Sequence, residues 1–104
     1  MSSLQEALAE RVIVCDGAMG TVLDVGYGKF GMCKEKLNLS DAQLIKSLHR
    51  SYIEAGAQLI HTNSFGANRI KLSEYALSEN VRAINVAAAR LACEVAGPER
   101  WVAG

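Results

Sequence analysis

Residues 57–62 read Ala-Gln-Leu-Ile-His-Thr (AQLIHT), an apolar-rich run between Gly56 and the turn-forming pair Asn63-Ser64, and its placement decides the fold. A run this short, closed on both sides by turn residues, is a strand. Upstream of it, Leu44, Leu48 and Tyr52 recur at four-residue spacing behind Ser40-Asp41-Ala42-Gln43. Ser40 supplies an N-cap hydroxyl with Gln43 three residues on, so a helix starts at Ser40 and stops at Gly56. Further upstream, Arg11–Cys15 (RVIVC) is rich in β-branched residues and stopped by Asp16-Gly17, which predicts a buried strand, itself preceded by a short helical pattern at Leu4–Glu10.

Downstream, a short helical piece is expected around Asn68–Tyr75. A longer helix follows, in which Val81, Ile84, Ala88, Leu91 and Val95 repeat at three and four residues, Ser78 is placed to cap, and Gly97-Pro98 forms a stop. Trp101–Gly104 (WVAG) then reads as the opening of a third strand. The order strand, helix, strand, helix, strand predicts an α/β fold with a parallel sheet, whose strands are buried on both faces by crossover helices. No internal repeat or linker-like composition breaks the chain, so residues 1–104 read as one unit. A last strand with nothing after it leaves an open sheet edge, and this predicts the leading part of a larger α/β protein, truncated near its third strand. A complete (β/α)8 barrel takes ~250 residues.

The composition excludes several classes. The chain has 104 residues, 11 Lys+Arg against 11 Asp+Glu, and 50% hydrophobic residues, which describes a globular unit able to bury a core. A net charge of +0 gives no footprint for nucleic acid or an anionic membrane. No apolar run approaches the ~18 residues of a membrane span, and Met1–Glu10 lacks the pattern of a secretory signal, so a cytoplasmic protein is expected. Cys15, Cys33 and Cys93 make an odd set without a CxxC pair, and are expected as reduced thiols. Cys15 and Cys93 read as small buried hydrophobes and Cys33 as the loop thiol.

In this architecture ligands collect at the carboxyl ends of strands, which directs attention to the stretches after Cys15 and after Thr62. The first, Asp16 to Leu39, carries Gly17, Gly20, Gly26, Gly28 and Gly31 and is far longer than the ~2 to 6 residues of a plain connection. Its opening, Asp16-Gly17-Ala18-Met19-Gly20, lacks the complete glycine pattern of a nucleotide loop, and Asp16 repels phosphate. A carboxylate beside backbone donors suits a ligand bearing both an ammonium and a carboxylate, such as a free amino acid; equally, Asp16 can shape a turn while Gly17 supplies a special backbone angle. The second stretch, Thr62-Asn63-Ser64-Phe65-Gly66-Ala67-Asn68, either walls a small pocket or caps its own turn. His49 reads as a flank residue of its helix; His61 faces opposite to Ile60, where it lines either a helix or a barrel interior, and reads first as a structural residue.

Taken together, Asp16-Gly17-Ala18-Met19-Gly20-Thr21, Leu37-Asn38-Leu39, His49 and Tyr52 before Ala55-Gly56-Ala57, and Thr62 through Leu72 (TNSFGANRIKL) resemble the start of the homocysteine S-methyltransferase family, over nearly the whole chain. The GANRIKL stretch is similar to bacterial enzymes that carry a fused methylenetetrahydrofolate reductase domain. The resemblance implies the amino-terminal portion of a (β/α)8 TIM barrel, about three strands with their helices. It also implies a zinc cofactor that binds the homocysteine sulfur and makes it a thiolate, which takes a methyl group from a donor to give methionine. The family's zinc ligands are a cysteine and a later adjacent cysteine pair. No adjacent pair occurs here and none of Cys15, Cys33 or Cys93 matches, so the ligands are expected in a missing carboxyl-terminal part and the fragment alone is expected to be inactive. The resemblance carries Asp16 and Gly17 over as homocysteine-binding positions, with Ala18, Thr62 and Asn63 as the adjoining wall. It leaves the methyl donor open.

Two other readings compete with this one. The chain can be a non-catalytic α/β module that buries its sheet edge by self-association, or a barrel fragment whose Gly17–Gly31 loop holds a phosphorylated ligand.

Overall fold

The computed structural model describes all residues, Met1–Gly104. The helices are α1 (Leu4–Glu10), α2 (Gly20–Tyr27), α3 (Leu37–Ser40), α4 (Ala42–Glu54), α5 (Arg69–Ser73) and α6 (Val81–Ala96), and the strands are β1 (Leu59–His61) and β2 (Trp101–Ala103). β1 and β2 pair in parallel, with Leu59 opposite Trp101, Ile60 opposite Val102 and His61 opposite Ala103. No helix is long and apolar enough to cross a membrane.

The α/β alternation therefore forms, with one correction. Arg11–Cys15 is no buried strand: it meets β1 through a single parallel bridge, Cys15 to Leu59. Its hold on β1 is the Val14 carbonyl, which accepts from Gln58 N (2.7 Å) and Leu59 N (3.2 Å), and Asp16 N, which donates to the Leu59 carbonyl (3.0 Å). The segment lies at the edge of the sheet, where Val12 and Val14 are 86% and 53% exposed and Cys15 is exposed as well. Being apolar made this run look internal; only a covering layer would make it so.

The long glycine-rich stretch is not a simple loop either. It contains α2, a 3-10 turn at Lys34–Lys36, and α3. Met19, Val22 and Leu23 stand at helical spacing, and Leu23 is fully buried against Leu37, Ile45, Leu48 and Leu91. Gly28, at φ +64°, ends α2 in the left-handed conformation that glycine adopts at little cost.

Two caps move. Asp41, not Ser40, accepts from Leu44 N to start α4, because Ser40 is spent as the last residue of α3. Ser78 begins a 3-10 turn instead of capping α6, whose start has no side-chain cap. α6 packs on α4 and over the strands. Its buried residues Ile84, Ala88, Leu91, Ala92 and Ala96 follow a three-and-four spacing, while Cys93 points outward and is exposed, against the expectation of a packed thiol.

The core is small and divided. One cluster joins α2, α3, α4 and α6; a second joins Cys33, Ala67, Leu72 and Ile84; a third sets Ala57 and Ile60 against Ala92 and Ala96. Cys33, read as the loop thiol, is thus a core residue. Burial pushes its thiol pKa up, helped by the neighbouring Glu35 carboxylate, so it stays protonated and poorly nucleophilic.

Candidate functional site

The strand-end segments after Cys15 and after His61 meet around one cavity of about 530 Å³. Asp16, Gly17, Ala18, Thr62 and Asn63 all line it, together with His61, Lys34 and Glu35. Parallel pairing explains the convergence: Asp16 N bonds to the Leu59 carbonyl, so both chains leave the sheet at the same end. The amino end of α2 supplies a further edge, through Gly20 and Thr21.

Asp16 is held by His61, a pairing that the sequence did not mark. Its Oδ1 lies 2.7 Å from His61 Nδ1, and its Oδ2 accepts from His61 N at 3.1 Å. The Asp16 side chain is 3% exposed and the His61 side chain 57% exposed. His61 was expected to be structural. It lines the cavity, on the side opposite to the fully buried Ile60 that the two-residue period gives it.

Gly17 is needed for space, not for an unusual backbone angle. A Cβ there would stand 3.0 Å from Tyr52 Oη and 3.2 Å from Cε1. The Tyr52 hydroxyl donates to the Ala18 carbonyl at 2.8 Å, which pins the Gly17-Ala18 turn to α4. One turn earlier on α4, His49 is fully buried, not flanking, and neither of its ring nitrogens has a hydrogen-bond partner. Burial lowers its pKa from the ordinary 6.5, against a smaller upward pull from the negative Asp16.

Next along the chain from His61, the Thr62 and Ser64 hydroxyls share a hydrogen bond of 2.6 Å. Asn63 is buried, and its Nδ2 donates to Asn38 Oδ1 and to the Lys34 carbonyl, each at 3.0 Å. Asn38 Nδ2 returns a bond of 2.9 Å to the Asn63 carbonyl and one of 3.3 Å to that of Ile84. Asn63 therefore works as a clasp between β1, α3 and α6, and its NH2 group is committed to the protein. Glu35 Oε2 accepts from Gly66 N at 3.1 Å. Lys34 is drawn to Asp24 at 2.8 Å, which raises its pKa. The cavity thus shows two carboxylates, Asp16 and Glu35, while its lysine is already paired, a charge set unfavourable to phosphate.

The homocysteine S-methyltransferase family profile matches residues 13–104. The chain is 40% identical to "Methionine synthase" of Mycobacterium leprae across 99% of its own residues and 10% of that protein. It is 36% identical to "Methionine synthase" of Mycobacterium tuberculosis across 95% of its residues and 9% of that protein. It therefore spans about a tenth of the length of these curated relatives.

Zinc finds no site among these residues. No three His, Cys, Asp or Glu side chains come together to hold a metal ion. Cys33 is buried beside Glu35, and Cys15 and Cys93 lie exposed on separate elements. The donor set fits no structural or catalytic zinc geometry.

Proposed function

This chain belongs to the homocysteine S-methyltransferase family, and from that premise we propose that it forms one wall of a homocysteine pocket in a zinc-dependent enzyme that methylates the sulfur to give methionine. The observation that carries the reading is the convergence of both family-matching strand-end segments, Asp16-Gly17-Ala18 and Thr62-Asn63, on one cavity. In this reading the two parallel strands, with the bridged Cys15 segment, are the opening strands of a (β/α)8 barrel, whose ligand sites lie at this end of the sheet. The names of the relatives and the family profile support the substrate.

The roles follow from chemistry. An amino-acid ligand brings an ammonium, a carboxylate and, here, a thiol. The Asp16 side of the cavity supplies negative charge for the ammonium, and the Thr62 and Ser64 hydroxyls that also line it are donors and acceptors suited to a carboxylate or to ordered water. Gly17 and Ala18 present backbone close to the ligand, fixed from behind by Tyr52. Asn63 keeps the second wall in place. Zinc, when bound, lowers the pKa of the sulfur; its ligands and the methyl donor's site belong to sequence outside these residues, so the chain alone transfers no methyl group. A fused methylenetetrahydrofolate reductase domain is a further proposal, supported only by the GANRIKL stretch. A cytoplasmic setting suits three free thiols.

The test is calorimetric titration of the chain with L-homocysteine and with inorganic phosphate, for the wild type and Asp16→Ala. The proposal expects homocysteine binding that weakens by about 2 kcal/mol in the variant, the scale of a lost charged hydrogen bond. Equal affinity of wild type and variant for homocysteine removes Asp16 from the site, and phosphate binding that survives in both favours the phosphate reading.

A further inference from the structure

Asp16 cannot present its carboxylate to a ligand as freely as its position in the motif suggests. Both oxygens already accept from His61, one from the ring and one from the backbone, and the side chain is 3% exposed. His61 is in the opposite situation. Its ring is bound through Nδ1 only, more than half of its side chain is open, and it lines the cavity. A carboxylate that accepts from Nδ1–H selects, for the neutral ring, the tautomer in which Nε2 carries a lone pair. It also places a carboxylate directly behind the ring.

We propose that His61, oriented by Asp16, is the group that meets the substrate ammonium, its Nε2 accepting a hydrogen bond from the amine, and that Asp16 acts one bond further back as a positioning residue. The inference rests on the amino-acid reading above and names which atom of the cavity reads the amine. The match is one of charge and of hydrogen-bonding role. A neutral imidazole accepts, an ammonium only donates, and the buried carboxylate supplies the compensating charge that an isolated imidazole lacks. The thiol and carboxylate of the ligand have no part in this contact, so the contribution of His61 depends on whether the ligand carries an amine.

Two measurements on the full chain decide it. The first is the ring 15N spectrum of His61 at mildly alkaline pH, assigned by comparison with His61→Ala. A protonated Nδ1 with a bare Nε2 is expected, and Asp16→Asn should relax that preference while leaving the chain folded by its amide spectrum. A protonated Nε2 overturns the proposal outright. The second is titration with L-homocysteine and with 4-mercaptobutyrate, which keeps the thiol and the carboxylate and lacks the amine. His61→Ala should weaken homocysteine binding about tenfold, the scale of one charge-assisted hydrogen bond, and leave 4-mercaptobutyrate binding unchanged. Asp16→Ala should show the same selectivity, and the double variant should lose little more than either single one.

If homocysteine binds and His61→Ala changes nothing while Asp16→Ala does, the ammonium meets Asp16 directly and the inference fails with the functional reading intact. If His61→Ala weakens both ligands alike, His61 acts on the shape of the cavity and the inference fails again. If the wild type binds neither ligand, the amino-acid reading falls and the inference with it.

Discussion

Asn63 Nδ2 donates to Asn38 Oδ1 at 3.0 Å while Asn38 Nδ2 donates to the Asn63 carbonyl at 2.9 Å, closing a reciprocal amide pair between the end of β1 and α3. Asn38 and Asn63 are both buried, so each bond replaces water that the fold has excluded. The pair also reaches the carbonyls of Lys34 and Ile84, which makes it the joint where the strand end, the 3-10 turn, α3 and α6 meet.

Removing one partner strands the other. Asn38→Ala leaves the Asn63 amide and two carbonyls short of bonds in a dry interior, at a cost of about 1–3 kcal/mol. Asn63→Ala should cost a similar amount, and the double variant less than the sum, because the second truncation removes groups already orphaned by the first. Urea unfolding of the four proteins checks this; strict additivity would mean that the pair is not a unit.

Gly17→Ala carries a steric prediction. The new Cβ would sit 3.0 Å from the Tyr52 hydroxyl and 3.2 Å from its ring, so Tyr52 must give way and release the Ala18 carbonyl. A loss of about 1–3 kcal/mol is expected for such overpacking. Tyr52→Phe alone should cost ~1 kcal/mol for the lost bond. In the Tyr52→Phe background the closest clash is gone, so adding Gly17→Ala should cost less than it does in the wild type, as melting temperatures of the set would show.

These cases mark what could be read from residues alone. Periodicity located α4 and α6 because each buries a face that its own apolar spacing defines, as in Ile84, Ala88 and Leu91, while β1 and β2 were marked by short apolar runs beside turn residues. It failed at Arg11–Cys15, where an apolar run gives no sign of whether anything covers it, and within Asp16–Leu39, where five glycines hid the Met19, Val22, Leu23 face of α2. The two site segments were legible because strand ends of a parallel sheet share one side. The bonds within the site were not: that His61 would take Asp16, or Asn38 take Asn63, depends on register and on side chains separated by 45 and 25 residues. No local pattern encodes those separations.

The uncovered edge has its own consequence. Val12 and Val14 are exposed beside a segment whose backbone pairs on one side only, and Phe65 and Ile70 are 100% and 80% exposed. Open edges with apolar side chains template pairing between chains. The chain is expected to self-associate with rising concentration in sedimentation experiments, and Val12→Lys with Val14→Lys should shift it toward monomer without changing its helical content. A monomer at all concentrations would show that this edge is not adhesive.

His49 makes stability depend on pH. Its two ring nitrogens are buried without partners, and burial lowers its pKa below the ordinary 6.5, with the Asp16 charge opposing in part. The unfolded chain, titrating at the ordinary value, therefore binds the His49 proton more readily than the folded one. In the interval between the two values the unfolded state holds the extra proton, so folding stability falls as pH drops through about 6.5 and goes on falling until the folded value is passed. Above that interval the ring is neutral in both states and contributes no slope. His49→Gln and His49→Leu abolish this titration, and Leu forfeits no hydrogen bond because none is made. Denaturant midpoints at about pH 7.5 and about pH 5.5 should therefore converge more in either variant than in the wild type. An equal pH loss in all three proteins would mean that His49 takes up its proton as easily inside the fold as outside it, and that water reaches its ring.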